Sequence, residues 1–417
     1  MFFNGLSGKM RAMQLRRVHQ QLISSALPDV EVVVQQELDR LNLDVRGKSI
    51  ALTAGSRGIC NLVRITRAAG DWLKSHGAQP FLVPSMGSHN GATAEGQQAM
   101  VESLGLTEDA MEMPIRSSMD VVRLDSVATG DVWMDRNCHE SDGVLVVNRI
   151  KLHTCFSGPV QSGLMKMMVV GMGKIRSAET FHSTPTAEMK DMILEMGAVI
   201  LKSGRILAGL AILEDGFDET AEIHGVLPAE LPEREIELVD KHRSYFPRLP
   251  VEDLNVLVVD EIGKTFSGTG MDTNIIGYRG VRGNEDLESP RIRVIAALRL
   301  AAASKGNAIG VGLADFITQE LRDSIDEQKT LINVLTTGDM IRVKIPATYP
   351  SEEALLETVR QRFGEYGWCF VPNTLHLGTL FVTPDLAETL SSHPSCRVDP
   401  TPIELSFENG RHGLSFQ

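Results

Sequence analysis

Ser49-Ile-Ala-Leu-Thr53 is an uncharged run that passes through Ala54 into the turn Gly55-Ser-Arg-Gly58. The run reads as a buried strand and the glycines as the tight turn that ends it. A helical pattern follows over 61–75, and Pro80-Phe-Leu-Val-Pro84 is the next strand. A second glycine-bearing turn, Gly87-Ser-His-Asn-Gly91, leads to a helix over 93–104. Gly143-Val-Leu-Val-Val-Asn148 is a third strand, and a helix over 29–42 precedes the first. Strand, turn and helix repeated at this spacing give βαβ units and a largely parallel sheet. Ligands of such sheets bind at the turns beyond the carboxyl ends of the strands.

A chain of 417 residues is too long for one compact core, so two domains are expected. Over 225–253 the pattern gives way to Pro- and charge-rich text, read as a linker or an edge. A second α/β pattern opens with Asn255-Val-Leu-Val-Val-Asp260. Helices are expected near 290–304, 314–325 and 352–364, and strands near 340–345 and 375–382. The fold class is therefore α/β, as two α/β domains with largely parallel sheets, 1–250 and 251–417, and an active-site cleft between them.

Hydrophobic residues make up 42% of the chain and charged residues 23%, the profile of an ordinary globular protein. No apolar run is long enough to span a bilayer, and residues 1–17 have no apolar core of a secretory leader. Five cysteines without a CxxC pair argue against a disulfide framework or a zinc knuckle. The cytoplasm is the expected compartment. A net charge of −13 repels nucleic acid, so neither nucleic acid nor membrane is expected as a partner. That charge also repels an anionic substrate unless a local positive cluster draws it in. The stretch 149–176 supplies such a cluster: it holds Arg149, Lys151, Lys166, Lys174 and Arg176 and no Asp or Glu.

Four segments can carry chemistry. Thr53-Ala-Gly-Ser-Arg-Gly-Ile-Cys60 imitates the phosphate turn of short-chain dehydrogenases, but Cys60 replaces the last glycine and no tyrosine has a lysine four residues on. Arg57 on such a turn is suited to grip a carboxylate with two hydrogen bonds. The second segment, Ser85-Met-Gly-Ser-His-Asn-Gly91, puts His89 on a strand-end turn, and the third, Asn148-Arg-Ile-Lys-Leu-His153, repeats the arrangement. Tight turns and rim histidines of no chemical role would look the same. The fourth, Gln161-Ser-Gly-Leu-Met-Lys-Met-Met-Val-Val-Gly171, sets Lys166 alone in an apolar run, with His182 beyond it. A snorkelling lysine is the plain reading; a buried one would be more readily a neutral, nucleophilic amine. No HExxH helix, Walker loop or serine elbow occurs.

Taken in order, these segments resemble the nickel-pincer lactate racemase family over most of the first 190 residues. The resemblance makes Arg57 a substrate ligand, His89 and His153 the catalytic acid–base pair, Lys166 the covalent tether of the cofactor and His182 the nickel ligand. The gap of 16 residues from Lys166 to His182 is the one the family leads us to expect. Gly55 and Ser56 fall on the cofactor side, and a weaker match makes Lys264 a substrate-side lysine. The implied cofactors are nickel and pyridinium-3-thioamide-5-thiocarboxylic acid mononucleotide, made by dedicated biosynthetic enzymes. The implied reaction is the racemisation or epimerisation of a small 2-hydroxy acid. The C2 hydrogen leaves as hydride, one histidine takes the hydroxyl proton, and the keto acid is reduced on its other face. The chain departs from the family at Ala54, where an acid is usual, and in a longer gap between His153 and Lys166. Two other classes stay open: a zinc-type hydrolase using His89, His153 and His182, and a binding or sensor protein that keeps the fold without the chemistry.

Overall fold

The computed structural model describes residues 12–282 and 285–416; part of the stretch scanned for a leader, 1–11, lies outside them. The chain divides into two compact units, Ile23–Phe246 and a second that joins the segment up to Leu22 to Pro247–Gln417.

The unit Ile23–Phe246 is built on a five-stranded sheet in the order Gln79–Pro84, Ser49–Ala54, Gly143–Arg149, Ile206–Glu214, Thr220–Val226. The first four strands run parallel and only the last pair is antiparallel. Alternate residues of each strand enter different cores. Ala51, Val144 and Val146 belong to one apolar cluster, and Ile50, Leu52, Leu145 and Val147 to another. A parallel sheet covered on both faces has no polar side, which is why these strands read as continuous apolar runs. Helices Val30–Leu41 and Leu62–Ser75 cover one face, and Met189–Lys202 and Glu233–Tyr245 the other. Ile50, Leu52, Leu82 and Leu145 have no exposed surface, and each such side chain contributes about 2 kcal/mol.

The other unit carries a nine-stranded mixed sheet. Asp253–Ile262 lies between two parallel neighbours, Arg291–Leu300 and Trp368–Val371, and Phe316–Thr318 and Ala347–Tyr349 extend the parallel side. Beyond Trp368–Val371 the sheet turns antiparallel, through Thr379–Val382, Gln14–Gln20 and Cys396–Val398. The expected division at residue 250 therefore needs one correction, because Gln14–Gln20 is a strand of the unit that holds the C-terminal half.

Four other expectations change. The region expected as a helix near 290–304 is the strand Arg291–Leu300, paired along its length with Asp253–Ile262. Its continuous apolar part, 294–298, is short enough that a buried strand and a buried helix look alike. The text at 225–253 is a linker only at its end, where the chain passes from one unit to the other between Phe246 and Pro247; before that, Glu233–Tyr245 is a helix with Glu235, Leu238, Val239 and His242 buried. Near 340–345 the chain makes a 3₁₀ turn, Met340–Val343, and the strand comes later, at Ala347–Tyr349. Near 314–325 a short strand, Phe316–Thr318, precedes a single helical stretch, Gln319–Asp323. Among the described residues no helix is long and apolar enough to cross a membrane. None of the five cysteines is in a disulfide.

Candidate active site

The turn after Ser49–Ala54 is pinned at its far end. Cys60 donates its backbone N–H to Glu214 Oε1 at 2.7 Å, and Thr220 Oγ1 donates to the Cys60 carbonyl at 2.8 Å. Glu214 Oε2 pairs with Arg149, so one carboxylate ties this turn to the end of Gly143–Arg149. Arg57 projects from the open part of the turn, exposed and, among the described residues, without an ion-pair partner. Burial of part of the side chain, then the charge of Arg149, lowers its pKa from the usual 12.5. It stays a cation at any ordinary pH. An unpaired guanidinium beside a second arginine is a ready anion site.

His89 stands on the next strand-end turn, exposed, with Nδ1 hydrogen-bonded to Ser56 Oγ. Ser56, expected on the cofactor side, thus orients a histidine. Gly87 makes this turn possible: its φ is +63°, and a Cβ there would meet Val170 O and Ala178 Cβ at 3.3 Å. Its N–H donates to the Gly171 carbonyl at 3.2 Å, which lays the histidine turn on the segment that follows Lys166. Met167 Cε would lie 3.3 Å from a Cβ on Gly55, so the Arg57 turn rests on the same segment.

Lys166 closes one helical turn, Leu164–Lys166, and a π turn, Met167–Gly171, follows at once. There the Met172 N–H reaches back five residues to the Met167 carbonyl. Such widened turns recur at functional sites because they shift side chains off the regular helical stripe. Lys166 Nζ lies 2.7 Å from His153 Nε2. The other ring nitrogen, Nδ1, accepts from the Cys155 backbone N–H at 3.1 Å. A neutral imidazole has one N–H, so this bond assigns the proton to Nε2, which can donate to Lys166 only if the amine has a lone pair to accept it. The electrostatics move Lys166 towards that neutral form, although an amine near 8 is still mostly ammonium at neutral pH. Burial lowers the Lys166 pKa to about 8; Cys155 acts the other way, and Lys151 and Arg57 add to the lowering.

Phe181 and Phe156 join the remaining pieces. The Phe181 ring lies 5.4 Å from Lys166 Nζ and 5.6 Å from the His182 ring, and Phe156 stacks on His153 at 4.3 Å. Burial, then the charge of Lys166, pulls His182 down to about 4. It is therefore a neutral imidazole at neutral pH, the form that binds a metal. Arg57, His89, His153, Lys166 and His182 all belong to the unit Ile23–Phe246, and the turns of Arg57 and His89 both rest on the segment that follows Lys166. Lys264 belongs to the other unit, in the turn after Asp253–Ile262, where its N–H donates to Ser304 Oγ. Among the described residues no three His, Cys, Asp or Glu side chains gather as a metal-ligand set. His89, His153 and His182 are thus not arranged as a zinc triad, and the zinc-hydrolase reading loses its footing. A single imidazole fits a metal held otherwise by a cofactor's own donors.

Sequence reasoning missed Glu235. This carboxylate has no exposed surface and accepts from the Met165 N–H at 2.8 Å. Gly163, at the N-cap of the Lys166 turn, has no side chain to cap it, and a Cβ there would stand 2.4 Å from Glu235 Oε1. Glu235 therefore caps from a different helix the turn that carries Lys166. Burial pushes its carboxyl up to about 7 from an ordinary 4.5, against the backbone bonds from Met165 and Leu164. With a raised folded-state pKa, the stability gained by holding the proton is full below 4.5 and lost as pH rises through 7. Glu235→Gln should abolish that loss, gaining roughly 3 kcal/mol relative to the parent between pH 4.5 and 8. Urea unfolding of both proteins across that range checks it; parallel stability curves would show that Glu235 does not titrate there.

No protein-family model matches this chain, and no curated protein does. Solved structures do. The lactate racemase apoprotein from Thermoanaerobacterium thermosaccharolyticum superposes with a TM-score of 0.52 at 11% identity, over 88% of this chain and 99% of that one. A structural-genomics protein from Thermotoga maritima gives a TM-score of 0.52 at 11% identity, over 85% and 98%. At this identity the likeness is one of architecture: the chain has the fold of lactate racemase, an α/β protein with two mostly parallel sheets.

Proposed function

We propose that the protein interconverts the stereoisomers of a small 2-hydroxy acid, with a nickel-pincer nucleotide tethered to Lys166. The observation that carries the reading is the buried Lys166 amine, hydrogen-bonded to His153 and sharing the Phe181 ring with the neutral imidazole of His182. A tether needs a nucleophilic amine, and a nickel ion gripped by sulfur and carbon needs one neutral nitrogen donor. Lys166 and His182 supply these. When bound, the nucleotide supplies a hydride acceptor for the C2 hydrogen, which is far too weakly acidic for an imidazole to remove as a proton.

The chain's own residues do the rest. Arg57 binds the substrate carboxylate with two hydrogen bonds and so fixes which way C2 points. His89, oriented by Ser56, accepts the hydroxyl proton of one isomer. His153 accepts that of the other, and each histidine returns a proton when the reaction runs backwards. His153 is engaged with Lys166 while the amine is free. A lysine converted to a thioamide no longer offers a lone pair on nitrogen, so tethering releases His153 for proton transfer. Phe156 and Phe181 keep water from this corner.

The test uses protein from a host that makes the nucleotide, incubated with either isomer of lactate and related 2-hydroxy acids and followed by chiral chromatography. Each isomer should yield the other, and nickel should be stoichiometric. Nickel-loaded protein inert towards the whole set would end the proposal. The metal assignment has its own check. His182→Ala should keep the covalent addition but lose nickel by elemental analysis, because tether and metal ligand are different residues. Full nickel occupancy in that variant would remove His182 from the scheme.

A further inference from the structure

Lys174 opens the helix Lys174–Ser183, and its side chain is fully buried. Its Nζ lies 3.1 Å from Asp135 Oδ2, in an ion pair with no exposed surface on either side. The same ammonium donates to the carbonyl of Pro84, the last residue before the histidine turn, and to Gln97 Oε1 at 3.0 Å. Gln97, itself fully buried, passes the contact on: its Nε2 donates to the Gly87 carbonyl at 2.8 Å. One cation therefore reaches the strand Gln79–Pro84, the helix Ala94–Ser103 and the strand Gly130–Asp135. It stands in the helix that ends in His182.

A buried ion pair is a poor way to gain stability, since its desolvation offsets most of the attraction and apolar replacements often hold a fold better. What an apolar pair cannot do is aim several hydrogen bonds from one fixed point. We infer that Lys174 is a positioning residue for His89: anchored by Asp135, it holds the Pro84 carbonyl and, through Gln97, the Gly87 carbonyl, and so sets the imidazole two residues on against the helix that carries His182. The inference rests on the reading of His89 as a proton-transfer residue.

Lys174→Met alone would leave the Asp135 carboxylate buried and unpaired, and loss of fold would obscure the result. The variant to make is Lys174→Met with Asp135→Asn, which is neutral and keeps an acceptor for the Cys138 N–H that Asp135 now caps at 3.2 Å. Its melting temperature should recover most of what Lys174→Met loses. In the apoprotein, the His89 ring signals in a carbon–proton NMR spectrum should move towards those of a free surface imidazole as the Ser56 contact slackens. In the loaded protein, kcat should fall by about 10²-fold, because a displacement near 1 Å is enough for that. KM should change little, since Arg57 is untouched. Gln97→Leu, which leaves the ion pair in place, should move the same His89 signals and serves if the double variant does not fold. Restored stability with His89 signals identical to the parent would overturn the inference, as would an unmoved signal in Gln97→Leu. Moved signals with an unchanged kcat would uphold the anchor and remove His89 from proton transfer, so the two failures are distinct.

Discussion

Lys166→Ala, purified from a host that makes the pincer nucleotide, will have the mass of the bare chain and no racemase activity. The parent protein will carry a covalent addition on the peptide around Lys166. The loss is expected to be total, and Lys174 cannot take over. Lys174 is locked against Asp135 and two carbonyl-type oxygens in the interior. The reactive state of Lys166, by contrast, is a property of its place: burial holds it near 8, and His153 needs a lone pair on it. Without a tether the hydride acceptor is gone, and with it the bulk of an enzymic rate enhancement, typically about 8 to 23 kcal/mol. Lys166→Arg sharpens the test, since a guanidinium keeps the bulk but is no nucleophile at any ordinary pH. It should be as inert as the alanine variant. An addition that maps to another lysine, or activity surviving in either variant, would refute the tether.

The second large effect concerns the two histidines. Removing His89 or His153 should slow interconversion in both directions, because a catalyst cannot change the equilibrium between isomers. The half-reactions should nevertheless part company. In His89→Ala, loss of deuterium from C2 of one isomer should survive while loss from its mirror image collapses, and in His153→Ala the preference should invert. Each group is worth about 10²–10⁴-fold, which single-turnover mass spectrometry of the substrate resolves easily. The two variants should also differ in a way the reaction alone does not dictate. His153→Ala deprives the free Lys166 amine of its hydrogen-bond donor, so it should lower the fraction of chains that acquire the covalent addition; His89→Ala should not. Equal damage to both half-reactions in both variants would mean that the histidines bind or support, and the two-base scheme would have to go.

Much of this site could be read from the chain because strand-end turns announce themselves. An uncharged run followed by Gly55-Ser-Arg-Gly58, or by Gly87-Ser-His-Asn-Gly91, places Arg57 and His89 at turns from residue order alone. Lys166 was visible as a charge out of place. What stayed hidden was whatever depends on partners far off in sequence. Glu235 caps a turn some seventy residues earlier, and its helix was concealed because two of the four positions on its buried face, Glu235 and His242, are polar. Lys174 looked like one more member of a positive cluster; only packing shows that it points inward to Asp135. Arg291–Leu300 was misread for the opposite reason, since its side chains are apolar in the middle and both kinds of buried element fit them. Ser56, expected on the cofactor side, also orients an imidazole, a contact that only the folded chain reveals.

The strand Gln14–Gln20 has a bearing on how the chain comes to be folded. On the ribosome it emerges ahead of everything in Ile23–Phe246, yet its hydrogen-bonding neighbours, Thr379–Val382 and Cys396–Val398, are translated more than three hundred residues later. Chains fold domain by domain as they appear, and an unpaired strand edge is prone to join the wrong partner in the interval. The unit that holds Lys166 and the histidines can complete itself during that wait, because every strand of its sheet lies between residues 49 and 226. The nine-stranded sheet cannot: Gln14–Gln20 is fully paired only once Cys396–Val398 and Ile403–Glu404 have left the exit tunnel, and a chain whose synthesis stalls before that point leaves it as an open β edge.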